Sequence, residues 1–251
     1  MKDLITIFNY PDNKMYNLML HTWLRMANKN SKGFNIKILS QNEPNEYIKK
    51  LSKKFNFQWV KCNHYYGDLS ILGDYKSKHN ITFKLWNIYK NKNPFVFVDV
   101  DAFILKDINE LWEYKNDKPF IGINHQNIPI HTSNEPEPFL NSGVLVVSEP
   151  SFINYDEIIK NYKGMKCKGF DQALLFSHFK EIGYDYTHPK IGFEWNSCAG
   201  YTKLTKNDNN WVGSTINIEP KHNVYINHYW DEFKPWILNC PLFEETKKFI
   251  L

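Results

Sequence analysis

The residues best suited to chemistry are Asp99-Val100-Asp101, which follow directly on the apolar run Phe95-Val96-Phe97-Val98. Four consecutive β-branched and aromatic residues read as a strand buried on both faces, as inside a parallel sheet. Two ionised carboxylates cannot stay unpaired in such a core. The strand must therefore end at Asp99 and deliver both acids to the carboxyl edge of the sheet, where open α/β folds bind ligands. Paired carboxylates on a rigid base suit a hard divalent cation that keeps waters and takes phosphate oxygens from a substrate. A D-x-D also occurs in ordinary surface turns, so the pair alone reads both ways.

Positioning such a pair requires a sheet, and the chain alternates strand and helix patterns ahead of it. Residues 4–8, 34–39 and 57–60 read as strands, and residues 14–28, 44–55 and 81–89 as helices. The first helix carries Met15, Leu18, Met19, Thr22 and Met26 near one face. Alternation of this length predicts an α/β fold with a mostly parallel central sheet flanked by helices. Past the acidic pair, residues 102–105 read as a short strand, and Asp107 as the N-cap of a helix over 108–112. Residues 119–123 and 143–147 read as strands separated by a polar, proline-containing loop over 126–138. Residues 151–162 and 170–182 read as helices. From Glu194 onward the pattern predicts loops, a strand at 224–228 and a last helix over 243–249. No repeat or low-complexity linker marks a boundary, so residues 1–251 read as one domain.

Composition narrows the function classes. Hydrophobic content of 42% and charged content of 23% are globular values. A net charge of +4 fits an anionic small molecule and is too diffuse for nucleic acid. Arg25 is the only arginine among heavy lysine and asparagine use, a bias expected of an AT-rich genome. Cys62, Cys167, Cys198 and Cys240 form no C-x-x-C pair, which argues against structural zinc and predicts free thiols in a reducing compartment. No stretch reaches membrane-span length, and the N-terminus reads as a first strand, so a cytoplasmic location without a membrane span is expected. Aromatic content of 16% suits sugar or base stacking and core filling alike.

Set beside four other segments, the acidic pair resembles glycosyltransferase family 8, the glycogenin-like and galactosyltransferase-like enzymes with a GT-A fold. The matching pieces stand in family order over roughly residues 3 to 240. They are Ile81-Thr82-Phe83-Lys84-Leu85, Phe97-Val98-Asp99-Val100-Asp101 with the run from Leu105 to Trp112, Phe139-Leu140-Asn141-Ser142-Gly143-Val144, Phe170-Asp171-Gln172-Ala173-Leu174-Leu175, and His228 with Lys234-Pro235-Trp236. The resemblance implies a nucleotide-binding half over 1–123 and an acceptor-side half over 124–251. It implies that Asp99, Asp101 and His228 hold manganese or magnesium against the diphosphate of a UDP-sugar, with Val100 between the acids. An imidazole beside two carboxylates favours Mn²⁺ over Mg²⁺. Taken alone, His228 shares a strand side with Val224 and Ile226 and reads as an inward, hydrogen-bonded histidine.

The resemblance places Lys84 against donor phosphate and sugar, where its own pattern gives a solvated helix lysine. Lys234 would close over the diphosphate as a mobile point charge that neutralises departing UDP. Phe8, Asn9 and Tyr16 match the uridine corner, although Tyr16 reads equally as core-facing. Asn141, Ser142 and Gly143 are placed at the donor, with Asn141 toward sugar hydroxyls and Gly143 allowing close backbone approach, where a plain turn is the simpler reading. Asp171 would bind sugar hydroxyls and Gln172 would lie near the anomeric carbon, although Asp171 reads equally as a helix cap. Trp195-Asn196 would border the acceptor. Three departures stand out: Asp231 where the family often has glycine, Lys168 where an acid is common, and no aligned basic residue ahead of Lys84, with Lys76 and Lys78 as candidates.

The implied activity is metal-dependent transfer of a hexose-type sugar, with retention, from a UDP-sugar to a hydroxyl of a glycan, protein or small molecule. Gln172 is too poor a nucleophile for double displacement, so a front-face route in which leaving UDP helps deprotonate the acceptor fits better. One alternative is a non-catalytic GT-A protein that binds sugars, motivated by Asp231 and Lys168. Another is a haloacid-dehalogenase-like phosphatase, but there the D-x-D opens the chain and a second acidic pair follows. Here it stands mid-chain with no convincing second pair.

Overall fold

The structure is a computed structural model that describes residues 2–63, 78–124, 140–162, 170–199, 202–207, 210–215, 223–230 and 233–249. Its first half alternates β1 (Lys2–Ile7), α1 (Lys14–Asn30), β2 (Phe34–Ser40), α2 (Glu46–Leu51), β3 (Gln58–Lys61), α3 (Lys78–Lys90) and β4 (Phe95–Val98). There follow β5 (Ala102–Ile104), α4 (Asn109–Glu113), β6 (Phe120–Asn124), β7 (Leu140–Val147), α5 (Tyr155–Asn161) and α6 (Phe170–Glu181). The last elements are β8 (Ser197–Cys198), β9 (Thr202–Asn207), β10 (Asn210–Thr215), β11 (Ile226–His228) and α7 (Pro241–Lys247).

The central sheet runs β3-β2-β1-β4-β7-β6. Its first four strands are parallel, while β7 is antiparallel to both neighbours. The sheet is thus mostly parallel, as expected, with a single reversed strand. A smaller sheet, β5-β11-β8, lies where the chain leaves β4.

Each residue of β4 is at most 1% exposed. Val96 and Val98 join Leu4, Ile38 and the α1 residues Leu20 and Trp23 on one face. Phe95 and Phe97 join Ile5, Leu85, Leu145 and Leu174 on the other. Burying each such side chain contributes about 1.5–3 kcal/mol, which fixes the strand's end as a rigid platform.

Boundaries moved where polar side chains intervene. Asn45 accepts from the Ile48 N–H at 2.9 Å, so α2 starts at Glu46 and not at residue 44. The helix expected over 151–162 is a 3-10 turn at Pro150–Phe152 followed by α5, because Asn154 caps the latter through the Asp156 N–H at 3.1 Å. Asp107, the expected cap, stands one residue ahead of the observed cap Ile108, yet its carboxylate accepts from the Asn109 N–H at 2.9 Å. The strand expected from residue 143 begins at Leu140, so Asn141-Ser142-Gly143 is strand and not turn. The tail, expected to be mostly loop, contains the antiparallel β9–β10 hairpin. The expected loop over 126–138 lies outside the described residues. Cys62, Cys198 and Cys240 are free thiols, and Cys167 lies outside the described residues. Among the described residues, no helix is long and apolar enough to cross a membrane.

Candidate functional site

Two registers assemble the site. Where β4 ends, the Asp99 N–H donates to the Gly143 carbonyl on β7 at 2.8 Å, which ties the acidic pair to the reversed strand. The chain then turns tightly, the Ala102 N–H donating to the Asp99 carbonyl at 2.9 Å. Ala102 opens β5 and pairs with His228 of β11, and the Tyr229 N–H donates to the Asp101 carbonyl at 2.8 Å. On the far side of β11, Cys198 of β8 pairs with His228, which brings Asn196 alongside. One ligand atom each from Asp99, Asp101 and His228 consequently lies within 4.8 Å of the other two. His228 Nε2 is 3.2 Å from Asp101 Oδ1 and 4.0 Å from Asp99 Oδ2.

Two lysines share this cluster. Lys84 is not the solvated helix lysine its pattern suggested: it is 7% exposed, flanked by the buried Phe83 and Leu85. Its ammonium donates to Asp99 Oδ2 at 3.1 Å, to the Ser142 carbonyl at 2.9 Å and to the Ser142 hydroxyl at 3.1 Å, and stands 2.9 Å from Asp171 Oδ2. Ser142 in turn donates to Asp171 at 2.5 Å. Lys234 donates to Asp101 Oδ2 at 2.5 Å.

Burial pushes all three carboxyls up, and their neighbours decide the outcome. For Asp99, burial outweighs the pull of Lys84, and the charge of Asp101 adds to it, so its carboxyl is raised. For Asp101, Lys234 and His228 outweigh burial and hold it far below the usual range. For Asp171, Lys84 and Ser142 outweigh burial and lower it. Burial lowers both lysines, but their carboxylate partners more than offset this and raise them.

Three acids against two ammonium groups leave this buried cluster one positive charge short. Two carboxylate oxygens and an imidazole nitrogen, on strand ends fixed by backbone pairing, make a donor set suited to Mn²⁺ or Mg²⁺. The residues therefore fit a divalent cation. Among the described residues, no other group of three or more His, Cys, Asp or Glu side chains is so placed.

The remaining predicted residues fall around this centre. Phe8 buries its ring in the core against Trp59, which leaves its backbone at the sheet edge. Asn9 accepts from the Gln41 N–H at 3.0 Å, while its buried Nδ2 has no hydrogen-bond partner among the described residues. Tyr16 is half-buried between Tyr10 and Trp236, with ring centroids at 4.7 and 5.4 Å. That contact docks the Lys234-Pro235-Trp236 segment on the start of α1, where Asn13 caps the helix through the Met15 and Tyr16 N–H groups.

Three of these residues have partners that the sequence did not predict. The close approach expected at Gly143 is made by His228: a Cβ there would lie 2.2 Å from its Cε1. Asn141, expected toward sugar hydroxyls, commits Oδ1 to the Gly143 N–H and to Asn196. Trp195, expected beside the acceptor, is buried and stacked on Tyr225 at 3.9 Å. Gln172 is half-buried next to Asp171 at the start of α6. Lys76, Lys168 and Asp231 lie outside the described residues. Asn196 was expected beside the acceptor; what sequence reasoning missed is its contact with His228 Nδ1 at 3.0 Å, which no motif announces.

No protein-family model matches the chain, and no curated protein matches it in sequence. Solved structures do. The galactosyltransferase LgtC, in complex with donor and acceptor sugar analogues, gives a TM-score of 0.63 at 15% identity, over 98% of this chain and 94% of LgtC. The glycosyltransferase GlyE of Streptococcus pneumoniae gives 0.63 at 15% identity over 98% of this chain, which spans 60% of GlyE. Mouse xyloside xylosyltransferase 1 gives 0.56 at 13% identity, over 91% of this chain and 97% of that one. The fold is that of the GT-A glycosyltransferases.

Proposed function

We propose that residues 1–251 form one metal-dependent, retaining glycosyltransferase domain of family 8 type, which moves a hexose-type sugar from a UDP-sugar to an acceptor hydroxyl. The observation that carries this reading is the convergence of Asp99, Asp101 and His228 at the carboxyl edge of the sheet, within 4.8 Å. Its setting in a GT-A fold supports it. So does LgtC, a structural neighbour with donor and acceptor sugar analogues bound.

Asp99, Asp101 and His228 would hold the cation, Mn²⁺ ahead of Mg²⁺ given the imidazole. Bound there, it would supply positive charge against the leaving diphosphate. Lys234, on the segment docked against Tyr16, would turn from Asp101 toward that diphosphate. Tyr10, Tyr16 and Trp236 offer rings for the base, and Asn9, next to Tyr10 in the chain, would belong to the same corner. Lys84 fixes Asp99 and Asp171 in place, so Asp171 would meet sugar hydroxyls as an oriented carboxylate already held by Ser142 and Lys84. That double restraint argues against Asp171 as a covalent nucleophile and favours the front-face route, with Gln172 beside the anomeric carbon.

A screen of UDP-sugars for turnover with and without Mn²⁺ tests the reading. Manganese-dependent release of UDP, abolished by Asp101→Ala, is the expected result, with product stereochemistry read by NMR. Turnover indifferent to Mn²⁺ and to Asp101→Ala would refute the metal assignment, and an inverted product would refute retention.

A further inference from the structure

A neutral imidazole carries its proton on one nitrogen, and only the other can ligate a cation, so a histidine ligand works only in the right tautomer. At His228 the tautomer follows from a chain of hydrogen bonds that begins at a group with no ambiguity. The Gly143 backbone N–H can only donate, and it meets the Asn141 side chain at 2.8 Å. The Asn141 atom there must be its oxygen. The Asn196 atom 2.8 Å from that same oxygen must then be an NH₂. The other end of the Asn196 amide is its carbonyl oxygen, which lies 3.0 Å from His228 Nδ1. Nδ1 must carry the hydrogen. Nε2, 3.2 Å from Asp101 Oδ1, is then the nitrogen whose proton a cation in the cluster would displace.

Reversing either amide would set like against like at the next link. Asn141, Asn196 and His228 are 4, 6 and 5% exposed, so water is not at hand to rescue a wrong partner. The ring is also held in space, because its Cε1 and Nδ1 occupy the volume a Cβ on residue 143 would take.

We infer that Asn141 and Asn196 are positioning residues that fix His228 as the Nδ1–H tautomer and so aim Nε2 as a metal ligand. The inference rests on the proposed cation site for its consequence, while the tautomer itself rests on hydrogen bonds alone. Asn196, expected to face an acceptor, serves the metal side instead.

The test pairs nitrogen-15 NMR of the histidine rings, on metal-free protein at a pH where they are neutral, with Mn²⁺ titration followed by EPR. The parent should show His228 protonated on Nδ1. Asn196→Leu removes the acceptor and should shift the ring toward the Nε2–H form, weakening Mn²⁺ binding by about 10- to 100-fold. Asn141→Leu leaves Asn196 in place but unanchored, and should shift both readouts in the same direction. Asn141→Asp still offers oxygens to Gly143 and Asn196, and should keep the Nδ1 proton and bind Mn²⁺ at least as tightly as the parent. An Nδ1 proton and Mn²⁺ affinity unchanged in both leucine variants would overturn the inference. A parent with the Nδ1 proton but no Mn²⁺ binding would uphold the relay and overturn the metal site instead.

Discussion

Replacing Lys84 by methionine would expose the charge balance of the site. Methionine keeps most of the apolar stem and removes an ammonium 2.9 Å from Asp171 and 3.1 Å from Asp99. At an effective dielectric of about 20, each contact is worth about 5 kcal/mol, or about 10 for the two. Desolvating the three ions takes back several kcal/mol apiece, so the pairs themselves contribute little net stability. Breaking them is another matter, because two buried carboxylates are left without their cation, at a cost of about 3–5 kcal/mol. For a chain of 251 residues that lowers the melting temperature by roughly 6–20 °C. Urea unfolding followed by circular dichroism measures the loss directly. Repeating it with Mn²⁺ should narrow the gap, because a cation at Asp99 replaces part of the missing charge and binds the variant better once Lys84 no longer repels it. A variant within 1 kcal/mol of the parent would refute the buried-pair argument. A deficit that Mn²⁺ does not reduce would refute the shared role of Asp99.

Two further outcomes follow. Tyr16→Ala removes the middle ring of the Tyr10–Tyr16–Trp236 group and should weaken UDP binding by about 1–3 kcal/mol in calorimetry, while an unchanged Kd would separate this cluster from the base. His21 is held near a pKa of about 4, first by burial and then by Lys54 and Arg25. A histidine depressed from 6.5 contributes stability that is complete above pH 6.5 and is lost as pH falls toward 4, about 3 kcal/mol in all. His21→Gln, which can still bond Tyr47 as His21 does at 2.9 Å, should flatten that acid limb of the stability curve, and an unaltered limb would remove His21 as its source.

What the sequence made legible is what local rules control. The β4 run, its buried faces and the break at Asp99 follow from hydrophobic continuity and the cost of burying charge, and the structure has all three. The β9–β10 hairpin escaped notice because Thr202-Lys203-Leu204-Thr205-Lys206-Asn207 carries one large apolar residue and no period. The burial of Lys84 was equally hidden, since its fate depends on Asp99 and Asp171, 15 and 87 positions away in the chain. The role of Asn196 at His228 became visible only when β8 paired with β11. The hairpin lacked a periodic signal, whereas for Lys84 and Asn196 the deciding partner is distant in sequence and no local pattern reports it.

The reversed strand is what converts an acidic turn into an organised site. Parallel strands bring only their carboxyl ends to the edge where β4 stops. Because β7 runs the other way, it brings its beginning there, and Val144 pairs with Val98 so that Asn141, Ser142 and Gly143 stand beside Asp99. That placement gives Lys84 the Ser142 carbonyl and hydroxyl as partners, and gives His228 the space that Gly143 leaves open. The edge so built is not at electrostatic rest: Asp99 is raised while Asp101, nearby, is held low. The two lysines cannot satisfy three carboxylates, and a third ammonium would add bulk at this edge. Under the proposed function, a small divalent cation would close the deficit without that bulk and, carrying one charge more than the deficit, would leave the edge positive toward a diphosphate.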